Sequence, residues 1–229
     1  MSSARGLFVT GTDTGVGKTL VAAALMLRLR AAGLRVAGYK PVAAGCDAGA
    51  GGLRNSDAEL LRASATERWP YAAVNPYALA PPIAPHLAAA EAGVTLDLER
   101  LVAGYATLAE ASDAVVVEGA GGWLVPLDDR LTLADLAARL GLDVVLVVGV
   151  RLGCLNHALL TAASVAAHGL RLAGWVANVI DPEVERLDGQ LETLRRRLAA
   201  PCLGCIPRLP SAEPGLAAER LTLARAFLA

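Results

Sequence analysis

The sequence predicts an α/β domain built on a mostly parallel β-sheet with helices on both faces. Short apolar runs alternate with longer Ala- and Leu-rich stretches along the chain, several of the runs are apolar at consecutive positions, and one run opens onto a glycine-bearing loop and a helix. Consecutive apolarity marks strands covered on both sides, and crossover helices supply that cover. At 229 residues the chain fits one such domain, 1–229, with a sizeable core. No internal repeat, low-complexity tail or linker divides it.

The first strand is LFVTG, 7–11, and KTLVAAALMLRLRAAG, 18–33, is a helix closed by Gly33. RVAGYKPV, 35–42, reads as a second strand, followed by a Gly-rich loop over 47–52. DAVVVEGAGG, 113–122, and LDVVLVVGV, 142–150, are apolar without alternation, as fully covered strands are. LAGWVANVI, 172–180, and PCLGCIP, 201–207, complete the strands. Helices are expected over 97–111, 132–140, 154–168, 183–198 and 217–228.

Composition excludes several classes. A hydrophobic fraction of 55% and a mean hydropathy of +0.47 look almost membrane-like, but Ala supplies much of this. No apolar run approaches the roughly 18 residues that span a bilayer. The start, MSSARGLFVTGTD, shows no apolar export segment, so a cytoplasmic protein without a membrane partner is expected. A net charge of −1 and a pI near 6.3 lack the basic footprint of a nucleic-acid binder, and Arg195, Arg196 and Arg197 read as the solvated part of a late helix. Cys202 and Cys205 form a C-x-x-C, but no second pair stands at zinc spacing, so with Cys46 and Cys154 they read as small buried hydrophobes. His86, His157 and His168 are scattered, and His168, before a Gly, reads as a helix C-terminal residue.

The sharpest chemical signal is GTDTGVGKTL, from Gly11 to Leu20. A strand ends, a glycine loop follows, and Lys18 and Thr19 open a helix: a phosphate-binding P-loop, in which backbone N–H groups and the helix N-terminus cradle phosphates, Lys reaches the β- and γ-phosphates, and Thr serves Mg2+. Thr12 stands where the leading glycine is usual, with Gly11 one residue further out. Such a loop needs an acid for its metal. Glu118, at the end of an apolar strand and before glycines that permit close approach, is a candidate at the carboxyl edge of the sheet. Asp57, in GLRNSDAEL, is ambiguous from its neighbours alone, since Ser56 or Asp57 can cap the next helix.

Of the 21 cationic side chains only two are lysines, Lys18 and Lys40, against 19 arginines. Lys is a compact point charge with a movable pKa, whereas Arg is a planar fork that stays protonated, so a lysine kept in an arginine-rich chain is suspected of a role Arg cannot fill. Lys40, at the end of the second strand, falls on the same sheet edge as the phosphate loop. A strand-end lysine in a ligand cleft is expected to add little to the core.

GTDTGVGKT, GYKPVAAG, GLRNSDA, VNPYAL with PPIAPHLAA, VEGAGGWLVPL, VVGVRLGCLNHALLT, LAGWVAN and LGCIPRLP, in this order from about residue 7 to about 215, together resemble the dethiobiotin synthetase family. The resemblance implies a single-domain P-loop NTPase-like fold and an ATP- and Mg2+-dependent ligase of biotin synthesis. Its substrates are 7,8-diaminononanoate, CO2 and ATP: an amine takes up CO2 as a carbamate, ATP phosphorylates it to a carbamic-phosphoric anhydride, and the second amine closes the cyclic urea. It implies Lys18 and Lys40 as catalytic and Thr19, Asp57 and Glu118 as metal ligands. Nucleotide contacts carry over to Gly15, Val16, Gly17, Lys18, Thr19, Asp57, Glu118, Gly119, Ala120, Gly121, Asn178, Val179, Pro207, Arg208, Leu209 and Glu213. Substrate contacts carry over to Thr14, Lys40, Ala44, Gly122 and Asn156, the last reaching in from the other subunit of a homodimer. Two positions depart from the family pattern. Ala44 replaces a familiar substrate-contacting Ser, removing a hydrogen bond worth about 0.5–1.5 kcal/mol, and Gly15 stands where a Glu often sits.

Two relatives of this fold compete. Partitioning-type ATPase switches usually carry a second lysine at the start of the loop, and TGTDTG has none. Cobyrinate amidotransferases need an attached glutaminase domain, for which 229 residues leave no room.

Overall fold

The computed structural model describes residues 5–49, 51–223 and 227. In chain order its elements are β1 (Arg5–Gly11), α1 (Lys18–Ala31), β2 (Val36–Tyr39), β3 (Val42–Ala44), β4 (Asp47–Gly49), β5 (Gly52–Arg54), α2 (Ser56–Ser64), α3 (Tyr71–Val74), β6 (Tyr77–Leu79), α4 (Pro85–Glu91) and α5 (Leu98–Glu110). There follow β7 (Ala114–Glu118), α6 (Leu133–Leu140), β8 (Asp143–Val150), α7 (Cys154–Ala167), β9 (Leu172–Val179), α8 (Leu187–Arg197), β10 (Cys202–Ile206) and α9 (Pro214–Ala218). Six strands form one parallel sheet in the order β10-β9-β8-β1-β7-β2.

The apolar residues of the central strands divide between the two faces. Leu7 and Val9 of β1, with Val116 of β7 and Val147 of β8, pack beside Val21, Leu25 and Leu29 of α1, Leu61 of α2 and Ala217 of α9. Phe8, Val115 and Val117 point the other way, toward Leu101 and Leu108 of α5 and Leu133 and Leu136 of α6. Leu146, Val148 and Trp175 extend that second layer under α7 and α8. Helix α1 buries Val21, Ala22, Ala23, Ala24, Leu25, Met26 and Leu29, and its small residues let α2 and α9 pack beside it. Helix α6 starts with a reciprocal capping box between Thr132 and Asp135 and stops at Gly141, φ 65°.

The structure adds α3, β6 and α4, to which the sequence reading assigns no element, ends the strand expected over 113–122 at Glu118, and departs from four further expected elements. The expected strand 35–42 breaks at Lys40, because Pro41 has no N–H for the ladder; Val42–Ala44 instead pairs with β6 in a separate two-stranded parallel sheet. Within the expected loop over 47–52, Asp47–Gly49 pairs with Gly52–Arg54 in a two-stranded antiparallel ribbon, with Asp47 opposite Arg54 and Gly49 opposite Gly52; residue 50 lies outside the described residues. The expected helix 183–198 starts at Leu187, after Arg186 in the left-handed region at φ 53°. Of the expected helix 217–228, the structure has the short α9, Pro214–Ala218, followed by a bridge from Leu221 to Gly204; residues 224–226 and 228 lie outside the described residues.

Candidate active site

β1, between β7 and β8, delivers the phosphate loop to the carboxyl edge of the sheet. Thr12 fastens the start of the loop to β8: its N–H donates to the Val147 carbonyl at 3.0 Å, and its hydroxyl accepts the Gly149 N–H at 3.2 Å. Gly15 and Gly17 have φ of 73° and 88°, where a side chain is strained. At Gly17 a Cβ would also strike the Asn178 amide, whereas at Gly15 it would meet open space. Among the described residues no side chain caps α1. Its first N–H groups are therefore free for an anion in the cleft that Gly17, Lys18 and Thr19 line. The Lys18 ammonium donates to the Asp13 carbonyl at 3.0 Å. Burial, and after it the charge of Lys40, lower its pKa to about 8.

The second lysine lies in the same cleft, 3% exposed. Its ammonium donates to Glu118 Oε1 at 2.7 Å, Asp57 Oδ2 at 3.3 Å and the Gly119 carbonyl at 3.3 Å. Burial depresses the pKa of Lys40, but the charges and hydrogen bonds of Glu118 and Asp57 outweigh it and leave the pKa raised, so this is a fixed cation. Thr19 Oγ1 donates to the same Glu118 Oε1 at 2.9 Å. Glu118 Oε2 is buried and has no hydrogen-bond partner among the described residues. A buried carboxylate oxygen left empty beside a threonine hydroxyl and a second carboxylate is a hard-oxygen donor set that fits Mg2+.

Asp57 reaches Lys40 because it is not the helix cap. Asn55 caps α2, its side chain accepting the N–H groups of Asp57 at 3.1 Å and Ala58 at 3.3 Å. The sequence admits Ser56 or Asp57 for that role; Asn55 takes it and leaves the Asp57 carboxylate to the cleft.

The cleft measures about 690 Å³, and Thr14, Gly15, Gly17, Lys18, Thr19, Lys40, Ala44, Asp57, Glu118, Ala120 and Gly121 of the sequence-predicted residues line it. An apolar wall of Pro82, Ile83, Pro85, Val125 and Pro126 faces them. The first three lie in a stretch to which the sequence reading assigns no element, although PPIAPH carries a signal in its prolines. Val16 is buried under the loop, and Gly119 and Gly122 continue the chain from Glu118. Asn178, 8% exposed, donates its amide to the Val16 carbonyl at 2.9 Å, which ties β9 to the phosphate loop. Val179, Pro207, Arg208 and Leu209 follow at the carboxyl ends of β9 and β10, on the same sheet edge. Glu213 is exposed at the start of α9, and Asn156 is exposed on the first turn of α7, outside the cleft lining.

A phosphate loop at the carboxyl edge of a parallel sheet, with buried lysines and an acid beside it, defines a P-loop nucleotide-binding protein. The fold is similar to that of the septum site-determining protein MinD from Pyrococcus horikoshii (TM-score 0.55, 16% identity, covering 94% of this chain and 86% of that one). It is also similar to that of the signal recognition particle receptor FtsY from Elizabethkingia anophelis (TM-score 0.50, 16% identity, covering 95% and 66%). An AAA domain family matches residues 5–215. The chain is 57% identical over 217 residues to the ATP-dependent dethiobiotin synthetase BioD of Pseudomonas paraeruginosa, covering 94% of this chain and 95% of that protein. It is 53% identical over 218 residues to the synthetase of the same name from Xanthomonas oryzae pv. oryzae, covering 95% and 97%. The protein belongs to the ATP-dependent dethiobiotin synthetase family.

Proposed function

We propose that this protein is an ATP-dependent ligase of biotin synthesis that joins CO2 to 7,8-diaminononanoate and closes the ring of dethiobiotin, releasing ADP and phosphate. Family membership supports the reaction, and one observation supports placing it in this cleft: Lys40 is a buried ammonium, its pKa raised by Glu118 and Asp57, in the same cleft as the phosphate loop. Phosphoryl transfer to a carbamate brings two anions together, so it is governed by positioning and by cations near the developing charge. Lys18 and the open N-terminus of α1 hold the phosphates. Lys40, in the same cleft, is assigned to the carbamate oxygens. The apolar wall of Ile83, Pro85 and Val125 suits the aliphatic chain of the diamine. Ala44 contributes no side-chain hydrogen bond there, although its carbonyl faces the Asn55 amide at 3.5 Å.

Thr19, Asp57 and Glu118 would hold Mg2+, which when bound neutralises charge on the β- and γ-phosphates. Asn178, Val179, Pro207, Arg208, Leu209 and Glu213 are assigned to the nucleotide base; the first five lie at the carboxyl ends of β9 and β10, on the sheet edge that carries the phosphate loop, and Glu213 at the start of α9. Free cysteines and an ATP requirement suit a reducing, nucleotide-supplied compartment, so we assign the enzyme to the cytoplasm. With purified protein, Mg-ATP and labelled bicarbonate, the expected result is diamine-dependent transfer of label into an acid-stable product with one ADP per turnover. ATP hydrolysis that ignores the diamine but responds to a protein or DNA partner would instead assign the protein to the partitioning-type switches.

The active form is assigned as a homodimer. Leu152 is 95% exposed and Leu160 62% exposed, and Asn156 shares the exposed face of α7 with Leu160, one turn away. An apolar helix face of this kind is suited to a second copy, and it carries Asn156 away from its own cleft. Mixing inactive Lys18→Ala protein with inactive Asn156→Ala protein is expected to restore part of the activity through hybrid dimers. An active enzyme that sediments as a monomer overturns the assignment.

A further inference from the structure

Lys40 stands one residue beyond the last ladder pair of β2, Tyr39 opposite Val117, and is followed by Pro41, which has no N–H to anchor the chain. The sheet therefore does not hold the residue that carries the site's central cation. The short α3 turn holds it instead. The Lys40 N–H donates to the Val74 carbonyl at 2.8 Å, and the Lys40 carbonyl accepts from Asn75 Nδ2 at 2.7 Å.

Asn75 is 3% exposed, and both polar atoms of its side chain are engaged. Its amide also donates to the Tyr77 carbonyl at 3.1 Å, and its Oδ1 accepts the Tyr71 hydroxyl at 3.0 Å. The Tyr71 oxygen in turn accepts the Asn55 N–H at 2.8 Å, and the Arg54 guanidinium lies 4.1 Å over the Tyr71 ring. Asn55 caps α2 through the N–H of Asp57. One chain of hydrogen bonds thus runs from the carbonyl of Lys40 to the amide of Asp57. Its two ends are the residues whose side chains meet at 3.3 Å in the cleft.

We propose that Asn75, relayed through Tyr71 and Asn55, is a positioning residue that sets the Lys40 ammonium relative to Asp57 and Glu118; this rests on the role proposed above for Lys40. A satisfied buried network specifies one geometry, because each partial rearrangement strands a polar group away from water. A fixed cation matters to phosphoryl transfer in proportion to how well it is placed, and a shift of about 1 Å can lower a rate by about 100-fold.

The test is a double-mutant cycle read in kcat, the KM for ATP and melting temperature. Tyr71→Phe, which removes only a hydroxyl, is expected to lower kcat by about threefold to tenfold, and Asn75→Ala by about 10- to 100-fold. The KM for ATP should stay within about twofold, because no hydrogen bond of this network touches the phosphate loop. Both changes should cost a clearly smaller factor in Lys40→Met protein than in wild type, since most of their effect passes through the ammonium and only the remainder through Asp57. A residue that only supports the fold would cost the same factor on both backgrounds. That equal loss, or a folded Asn75→Ala enzyme of wild-type kcat, overturns the inference. If Asn75→Ala fails to fold, the Tyr71→Phe cycle decides by the same criterion. Wild-type turnover in Lys40→Met protein itself would overturn the role assigned to Lys40, a failure distinct from additivity in the cycle.

Discussion

Lys40→Arg is expected to lower kcat for CO2 fixation by about 100- to 1,000-fold, nearly as far as Lys40→Ala. The ammonium fits among Glu118 Oε1, Asp57 Oδ2 and the Gly119 carbonyl at 2.7–3.3 Å, and it donates in three directions from one atom. A guanidinium is a flat fork with its charge spread over a wider frame, and it cannot place the same density at that point. Preserving the formal charge therefore does not preserve the interaction, which corresponds to about 2.7–4 kcal/mol of transition-state stabilisation. Stability should fall as well. Lys40 is buried against a Glu118 only 1% exposed, and removing one partner of a buried ion pair costs up to about 3–5 kcal/mol. This prediction departs from the expectation that a strand-end lysine adds little to the fold, because Lys40 is buried and paired with Glu118 at 2.7 Å. Activity and melting temperature are measured together on both variants, and wild-type turnover in the Lys40→Arg protein would sink the catalytic assignment.

Glu118→Gln is expected to abolish turnover at limiting Mg2+ and to weaken metal dependence steeply, because an amide is a much poorer ligand for a hard cation than a carboxylate. The geometry makes the defect worse than loss of charge alone. Glu118 Oε1 already accepts from both Lys40 and Thr19, so the new amide must keep its oxygen there and turn its NH2 toward the position of the empty Oε2. An acceptor proposed to bind a cation becomes a donor that opposes one. The Lys40 charge loses its shortest counter-ion in the same step and is left to Asp57, whose side chain is 42% exposed. A titration of activity against Mg2+ checks this, with Mn2+ binding read spectroscopically as the companion measurement. A variant with the wild-type rate at limiting Mg2+ removes Glu118 from the metal site.

How far the site is legible depends on how local each decision is. The phosphate loop can be read because everything it needs lies within Gly11 to Leu20: a strand end, glycines at positive φ and a helix start. Glu118 can be placed because a fully apolar strand announces its own carboxyl end. The long-range partners cannot be read. Nothing near Tyr71 or Asn75 says that the turn will grip Lys40. Nothing near Thr12 says that its hydroxyl will meet the Gly149 N–H. The α2 cap escapes a local reading for a related reason. Asn55, Ser56 and Asp57 are all good caps, and only the tertiary pull of Lys40 on the Asp57 carboxylate shows which of them is spared for the cleft.

By itself, then, the sequence determined the parallel α/β class, the strand edge that binds phosphate, and the convergence of its two lysines on that edge. These follow from periodicity and from the stereochemistry of glycine and proline, which act over a few residues. Only the tertiary structure decided that Val42–Ala44 leaves the main sheet to pair with β6, that Asn178 closes over Gly17, and that Lys40 is a buried cation balanced by two carboxylates. Those outcomes depend on which surfaces meet. A proline can end a strand locally, but what a chain pairs with after the break, and how deeply a charge is then buried, is set by burial and electrostatics summed over groups distant in sequence.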